Sequence, residues 1–242
     1  MAIKAWLIGD AVNLETLAHL LPEGDTRVVH DAERDAYYLT SPEIDNPPEG
    51  QAYYHVAKEL LVRLNGFARV ADSGYTPVNL KGAFSEGNSE HQVIFAESAR
   101  VISPRVGMVA VNVRQADGMI IPGSPSPWPV RFAAVGDHPD AIEALQIMSQ
   151  PDQLGWPELY KIHEIIRDSI KPGKIYDLGW ADKVTDSAFT GSANLPSVSG
   201  SGARHARMSG NPKNTMSIVE GRDYISALVA KWLDWLRQIS SR

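Results

Sequence analysis

The stretch MIIPGSPSPWPV, residues 119–130, carries prolines at positions 122, 125, 127 and 129. Proline lacks a backbone N–H and fixes φ, so this density breaks helix interiors and central strands. The chain is therefore expected to divide there. A mixed α/β domain would cover residues 1–120, a semi-rigid proline-rich connector 121–136, and a helical bundle 137–242. A chain of 242 residues is long enough to bury a sizeable core as one large domain or two small ones.

The N-terminal half mixes short strands and helices. KAWLIG (Lys4–Gly9) is a short apolar strand, and NLETLAHLLP is a helix that stops at Pro22. The segment from Thr26 to Thr40 predicts a hairpin, with β-branched and aromatic residues on either side of a polar turn. SPEIDNPPEG is a loop by its prolines and glycine. From Gln51 to Asn65, Tyr53, Val56, Ala57, Leu60, Leu61 and Leu64 recur at helical spacing, and Asn65-Gly66 supplies a left-handed stop. TPVNLKGAF and HQVIFAE alternate as paired strands across SEGNSE, and Val106–Arg114 is a further strand.

The C-terminal half changes to a helical period. HPDAIEALQIMSQ opens with Pro139 in its first turn. GWPELYKIHEIIRDSI places Leu159, Ile162, Ile166 and Ile170 on one stripe. A short helix is expected over WADKVTDSAF. Ser217 and Glu220 form a capping-box pattern before a long helix whose Ile225, Leu228, Val229, Trp232 and Leu236 share a face. The expected class is α+β: a mixed domain with an antiparallel sheet, followed by the bundle.

Composition narrows the function classes. Cysteine is absent, which excludes disulfides and thiolate metal sites and fits a cytoplasmic location. No apolar run is long enough for a transmembrane helix, and MAIKAWLIGD is too short for a signal sequence, so no membrane partner is expected. A net charge of −6 argues against nucleic-acid binding by the whole surface but leaves room for a local basic site.

Such a site is suggested by SGSGARHARMSGNPKN, residues 199–214. The 33 residues between Asp186 and Glu220 hold no Asp or Glu, where the overall frequency of 29 acids in 242 would place roughly four. Arg204, His205, Arg207 and Lys213 lie within this gap. Gly202 and its neighbouring glycines let backbone amides converge, and amides with guanidinium groups bind phosphate or carboxylate. Two plainer readings stand beside this one. The loop could be solvated, or its counter-charge could be internal, with Glu164 and Asp168 as candidates.

Other features are weaker. His163 is expected on a helix surface, and HE at 163–164 lacks the second histidine of a zinc-protease motif. The remaining histidines are dispersed without metal-ligand spacing, so neither a metal nor a cofactor is expected. Trp232 fits the core stripe, while Trp235 points away from its centre and is a candidate partner surface.

AIEALQIMSQPDQLGWPELYKIHEIIRD resembles the opening helices of HEPN-like bacterial domains, with a Leu-Tyr pair followed one turn later by a glutamate. The segment from Phe189 to Leu236 is similar to their later part: a polar Arg/His loop, then a terminal helix opening with Ser-x-x-Glu. The resemblance implies a bundle of four or five helices, often dimeric, and a place in antiphage defence. Active members are metal-free ribonucleases in which Arg-x4-His motifs meet across a dimer, the histidine acting as acid or base and the arginine stabilising charge. No Arg-x4-His occurs in the loop at 199–214.

Three functions follow as expectations. The first is a non-catalytic binding module for a phosphate-bearing ligand, RNA or nucleotide, with Asn194, Gly202, Arg204, His205, Arg207 and Lys213 as the binding residues. The second is a divergent metal-independent ribonuclease with Arg204 and His205 catalytic. The third is a protein-interaction protein whose Arg-His loop is ion-paired internally. A homodimer through the bundle, or another protein partner, is compatible with each.

Overall fold

The computed structural model describes residues 2–87, 89–93, 126–135 and 138–240. The protein is mixed α+β and divides into two compact units. One holds the described residues of Met1–Ala68 and Tyr75–Phe132, the other those of Arg69–Gly74 and Ala133–Arg242.

The first unit is built on β1 (Ile3–Ile8), α1 (Ala11–Leu20), β2 (Arg27–Asp31), β3 (Ala36–Thr40), α2 (Pro42–Asp45), α3 (Tyr53–Ala71, through Ala68), β4 (Asn79–Glu86), β5 (Ser89–Gln92) and most of α4 (Trp128–Val135). The strands form a five-stranded sheet in the order β2-β3-β1-β4-β5, and every pairing is antiparallel. Register puts Val28 opposite Leu39, Leu39 opposite Ala5, and Ala5 opposite Phe84. These four share a face and are buried, which gives the sheet its apolar side. The start of α3 lies against it, with the Tyr53 ring edge-on to Phe84 at 5.1 Å.

The opposite face is covered differently. Trp6 is almost fully buried and its indole N–H donates to the Ser85 hydroxyl at 2.8 Å. The Arg34 guanidinium lies 4.9 Å from the Trp6 ring centroid, and the Lys4 ammonium 4.6 Å from that of Tyr38. Lys4 and Arg34 hold their charges on Asp31 and Glu90 while their stems shield the aromatic rings from water.

The Asn65-Gly66 pair does not stop α3, which continues to Ala71. Asn65 is buried instead. Its side chain donates to the Val78 carbonyl and accepts from the Val78 amide and the Tyr75 hydroxyl, at 2.9, 3.0 and 2.7 Å. An asparagine whose amide is saturated by a neighbouring segment has no reason to adopt a left-handed cap. SPEIDNPPEG is not all loop either, since Ser41 caps the short α2. Within the proline-rich stretch, 126–135 includes α4. Pro129 falls in the first turn of that helix, where its missing N–H costs nothing, and Phe132 is buried 5.1 Å from the Phe67 ring. The expected strand Val106–Arg114 and residues 121–125 lie outside the described residues.

The second unit is helical: α5 (Pro139–Met148), α6 (Trp156–Ser169), α7 (Lys183–Asn194), α8 (Pro196–Ser199), a 3-10 turn (Gly200–Gly202) and α9 (Ile218–Ser240). α6 is central and packs on α5, α7 and α9. Its expected stripe of Leu159, Ile162, Ile166 and Ile170 is buried, as are Ile225, Leu228, Val229, Trp232 and Leu236 of α9. The capping box forms: the Ser217 amide donates to Glu220 Oε2 at 2.7 Å, and the Glu220 amide to the Ser217 hydroxyl at 3.3 Å. Arg69, in the last turn of α3, is buried in this unit and donates to the Met148 and Gln150 carbonyls at 2.8 and 2.7 Å. It satisfies carbonyls that the end of α5 leaves without an intrahelical partner. Among the described residues no helix is long and apolar enough to cross a membrane.

Replacing Asn65 with alanine strands the Val78 amide and carbonyl in the interior. The expected loss is about 3 kcal/mol in urea unfolding, since each buried group left unpaired costs roughly 1–3 kcal/mol. A loss under about 1 kcal/mol would show that the clamp is dispensable.

Candidate functional site

The Arg-His loop is tied to α7 at its start. The Arg204 amide donates to the Ala193 carbonyl at 2.8 Å, and the Ala203 amide to the Gly200 carbonyl at 3.3 Å. On its far side the Met216 amide donates to the Ser192 hydroxyl at 2.7 Å. The Ala203 and Arg204 amides are thus used inside the chain.

The Arg204 side chain leaves this anchor and crosses to α6. Both carboxylate oxygens of Glu164 accept from its Nη2 at 3.2 Å, and its guanidinium lies 4.3 Å from the Tyr160 ring centroid. Its Nη1 donates to His205 Nε2 at 3.3 Å. Glu164 was one of the two internal counter-charges considered for the loop. Asp168, the other, pairs with Lys171. The Arg204–Glu164 pair is not a buried one, because the side chains retain 34% and 45% of their exposure. A pair this wet is worth about 0.2–1 kcal/mol.

The other expected binding residues separate. Arg207 and Lys213 are exposed and form no ion pair among the described residues. Gly202 sits in the 3-10 turn. Asn194 is buried in the last turn of α7, where its amide donates to the Thr190 carbonyl at 2.9 Å, so it belongs to the interior and not to the loop surface.

Beside Arg204 opens a cleft of about 840 Å³, walled by α6, the turn Lys171–Tyr176 and α7. Helical spacing explains its lining. Tyr160, Glu164 and Asp168 follow one another at four-residue intervals on α6, and His163 and Arg167 do so on the adjacent stripe. Each carboxylate lining the cleft has its own partner: Glu164 has Arg204, Asp168 has Lys171, and Asp186 has His163. Two lining cations, Arg167 and Lys174, have no carboxylate within ion-pair distance among the described residues. Lys174 lies beside Tyr176, whose hydroxyl and the charge near it, with Asp177, raise its ammonium above the ordinary lysine value.

Asp186 lines the cleft and is fixed from behind. His163 Nε2 stands 2.7 Å from Asp186 Oδ1, and the Tyr224 hydroxyl donates to the same oxygen at 2.8 Å. Because Oδ1 of an ionised carboxylate is an acceptor only, the shared proton is placed on Nε2. Burial by itself would raise the Asp186 carboxyl. The bonds from His163 and Tyr224, with the charge of Arg167, outweigh it and hold the group below the usual carboxylate range. Burial first, then the Asp186 charge, push the Tyr224 phenol far above its ordinary value, so it stays a donor.

His163 is fully buried, contrary to the expected surface position. It sits next to Ile162 on the inward face of α6, with Phe189 5.1 Å away, and its Nδ1 has no partner among the described residues. The stripe Leu159–Ile162–Ile166 contained that signal, since position 163 follows 159 at a spacing of four. Asp186, Tyr224, Arg167 and Lys174 were not singled out from the sequence, because their meeting depends on how three helices and a turn pack. Trp235 is half-buried, with Trp180 edge-on at 6.1 Å. Among the described residues no three His, Asp or Glu side chains are grouped to hold a metal ion. Comparisons with family models, curated proteins and solved structures found no match for this chain.

Two outcomes are expected. Asp186→Asn lowers stability at pH 7 by about 1.5–3 kcal/mol, the worth of hydrogen bonds to a charged group. A carboxyl held low in the folded state stabilises above the unfolded value of about 3.9 and loses that contribution as pH falls through the lower folded one. The gap in urea midpoint between wild type and variant therefore holds from pH 7 down to about 4 and narrows below it, and a constant gap throughout would mean the charge is not responsible. Arg204→Ala costs at most about 1 kcal/mol in thermal unfolding, because its ion pair is solvated.

Proposed function

We propose that this chain is a non-catalytic binding module for a phosphate-bearing ligand, RNA or nucleotide, taken up in the cleft between α6, α7 and the Lys171–Tyr176 turn. The Arg204 loop stands at its edge. The observation that carries this reading is the charge arrangement of the lining. Every carboxylate there is already matched, while Arg167 and Lys174, the latter beside the Tyr176 hydroxyl, have no carboxylate within ion-pair distance among the described residues. Guanidinium and ammonium groups on the wall of a concave site suit phosphate.

Arg204, Arg207 and Lys213 extend the basic character along the loop, and local binding is compatible with an overall charge of −6. Arg204 is also available to a ligand, since releasing a wet ion pair costs little. The HEPN-like class of the helical unit, a homodimer and a role in antiphage defence belong to the same proposal and rest on the sequence resemblance. A ribonuclease reading has a narrower support, the 3.3 Å contact of Arg204 with His205 at an exposed position.

Labelled single-stranded RNA titrated with wild type and with the Arg167→Ala/Lys174→Ala variant, in EDTA at two salt concentrations, tests this reading. A shift without cleavage is expected, weaker at high salt. The variant should bind less tightly, and its log–log salt slope should fall by about 0.7 for each cation lost. Cleavage abolished by His205→Ala would replace the binding module with the ribonuclease. Neither shift nor cleavage, together with no response to mononucleotides, would remove both.

A further inference from the structure

Asp186 has one oxygen committed twice and the other not at all. Oδ1 takes the bonds from His163 and Tyr224. Oδ2 has no hydrogen-bond partner among the described residues, yet it is not a buried unsatisfied atom, and its residue lines the cleft. It is an acceptor held in a fixed direction and open to whatever occupies that space. Its two anchors are themselves well held: His163 is fully buried, and Tyr224 rises from α9 against Phe189, with ring centroids 5.0 Å apart. Arg167 stands one helical turn from His163 on α6, close enough for its charge to stabilise the Asp186 carboxylate.

An acceptor and a cation lining one cleft select a particular kind of molecule. A bare anion satisfies Arg167 but is repelled by Asp186. A ligand that carries a hydroxyl a short distance from its phosphate satisfies both. Carboxylates that read ribose do so by accepting from its hydroxyl groups. A cleft of about 840 Å³ lies within the size range of small-molecule sites and has room for a sugar phosphate with a base attached.

We infer that the cleft recognises a ribose phosphate unit, with the phosphate on Arg167 and Lys174 and the ribose 2-hydroxyl donating to Asp186 Oδ2. This rests on the phosphate reading above and adds the part of the ligand that confers selectivity. Asp186 is the specificity-determining residue, and His163 and Tyr224 are positioning residues that aim it. The same unit occurs in free ribonucleotides and along an RNA strand.

The test is calorimetric titration of the wild-type chain with ribose 5-phosphate, 2-deoxyribose 5-phosphate and inorganic phosphate. Ribose 5-phosphate is expected to bind about tenfold tighter than its deoxy analogue, the ratio that one ordinary hydrogen bond supplies. Asp186→Asn should erase that ratio while phosphate still binds. Tyr224→Phe should reduce the ratio with little change in phosphate affinity, which a merely structural role would not produce. The wild-type comparison needs no variant, so a variant that fails to fold leaves the test intact. Equal affinity for the two sugars overturns the inference and leaves the phosphate reading standing. Failure of all three probes, and of AMP and a 5′-phosphorylated RNA oligomer, overturns both. Where binding occurs, AMP and the oligomer show whether the unit is recognised in a free nucleotide or in a strand.

Discussion

The helical unit depends on one part-buried polar knot. His163 on α6, Asp186 on α7 and Tyr224 on α9 meet at a single carboxylate oxygen. Three helices that pack mainly through aliphatic and aromatic side chains are thereby given a defined register. Apolar packing tolerates sliding, whereas a carboxylate with two fixed donors does not. Phe189 and Tyr160 close over the knot from α7 and α6, so water is kept from His163 while Asp186 still reaches the cleft. The element that orders the core also builds the wall of the site.

The Arg-His loop plays a lesser structural part than its charge density suggests. Its backbone is secured to α7 through Ala193 and Ser192, and the Arg204 side chain is only laid across Tyr160 and Glu164. The backbone anchors fix where the loop begins and ends, and the wet ion pair lets its charged tip exchange partners at small cost. A rigid acceptor in the wall and a readily displaced cation at the rim are a combination suited to binding a charged ligand.

The sheet unit solves a different problem. An antiparallel sheet of five strands has one face that the apolar line Val28–Leu39–Ala5–Phe84 marks as inward. Trp6 lies on the other face and would be exposed by strand alternation alone. Lys4 and Arg34 cover it with their stems and keep their charges on Asp31 and Glu90. Asn65 does comparable work on the apolar side by closing the polar groups of Val78 and Tyr75.

Local pattern was enough for much of this protein. The hairpin from Thr26 to Thr40, the helical stripes of α6 and α9 and the Ser217–Glu220 cap follow from side-chain period and short-range hydrogen bonding, which the sequence carries directly. The pairing about SEGNSE forms with other bounds, since Ser85, Glu86, Ser89 and Glu90 belong to β4 and β5 and residues 94–97 lie outside the described residues. Where a residue's partner is distant, the local signal misled. Asn65-Gly66 has the form of a helix stop, but Tyr75 and Val78 claim the asparagine. Prolines 127 and 129 look like breakers, but a first turn accepts them. His163 looks like a surface residue beside Glu164, but Asp186 lies 23 positions away and draws it inward. The sequence by itself determined the first hairpin, α1, α5, α6 and α9 with their apolar faces, and it showed a cationic loop free of acids. Only the tertiary structure decided that Arg204 rests on Glu164, that Arg167 and Lys174 have no carboxylate partner among the described residues, and that Asp186 lines a cleft. Those outcomes depend on distances between helices, and side-chain period along a chain does not encode them.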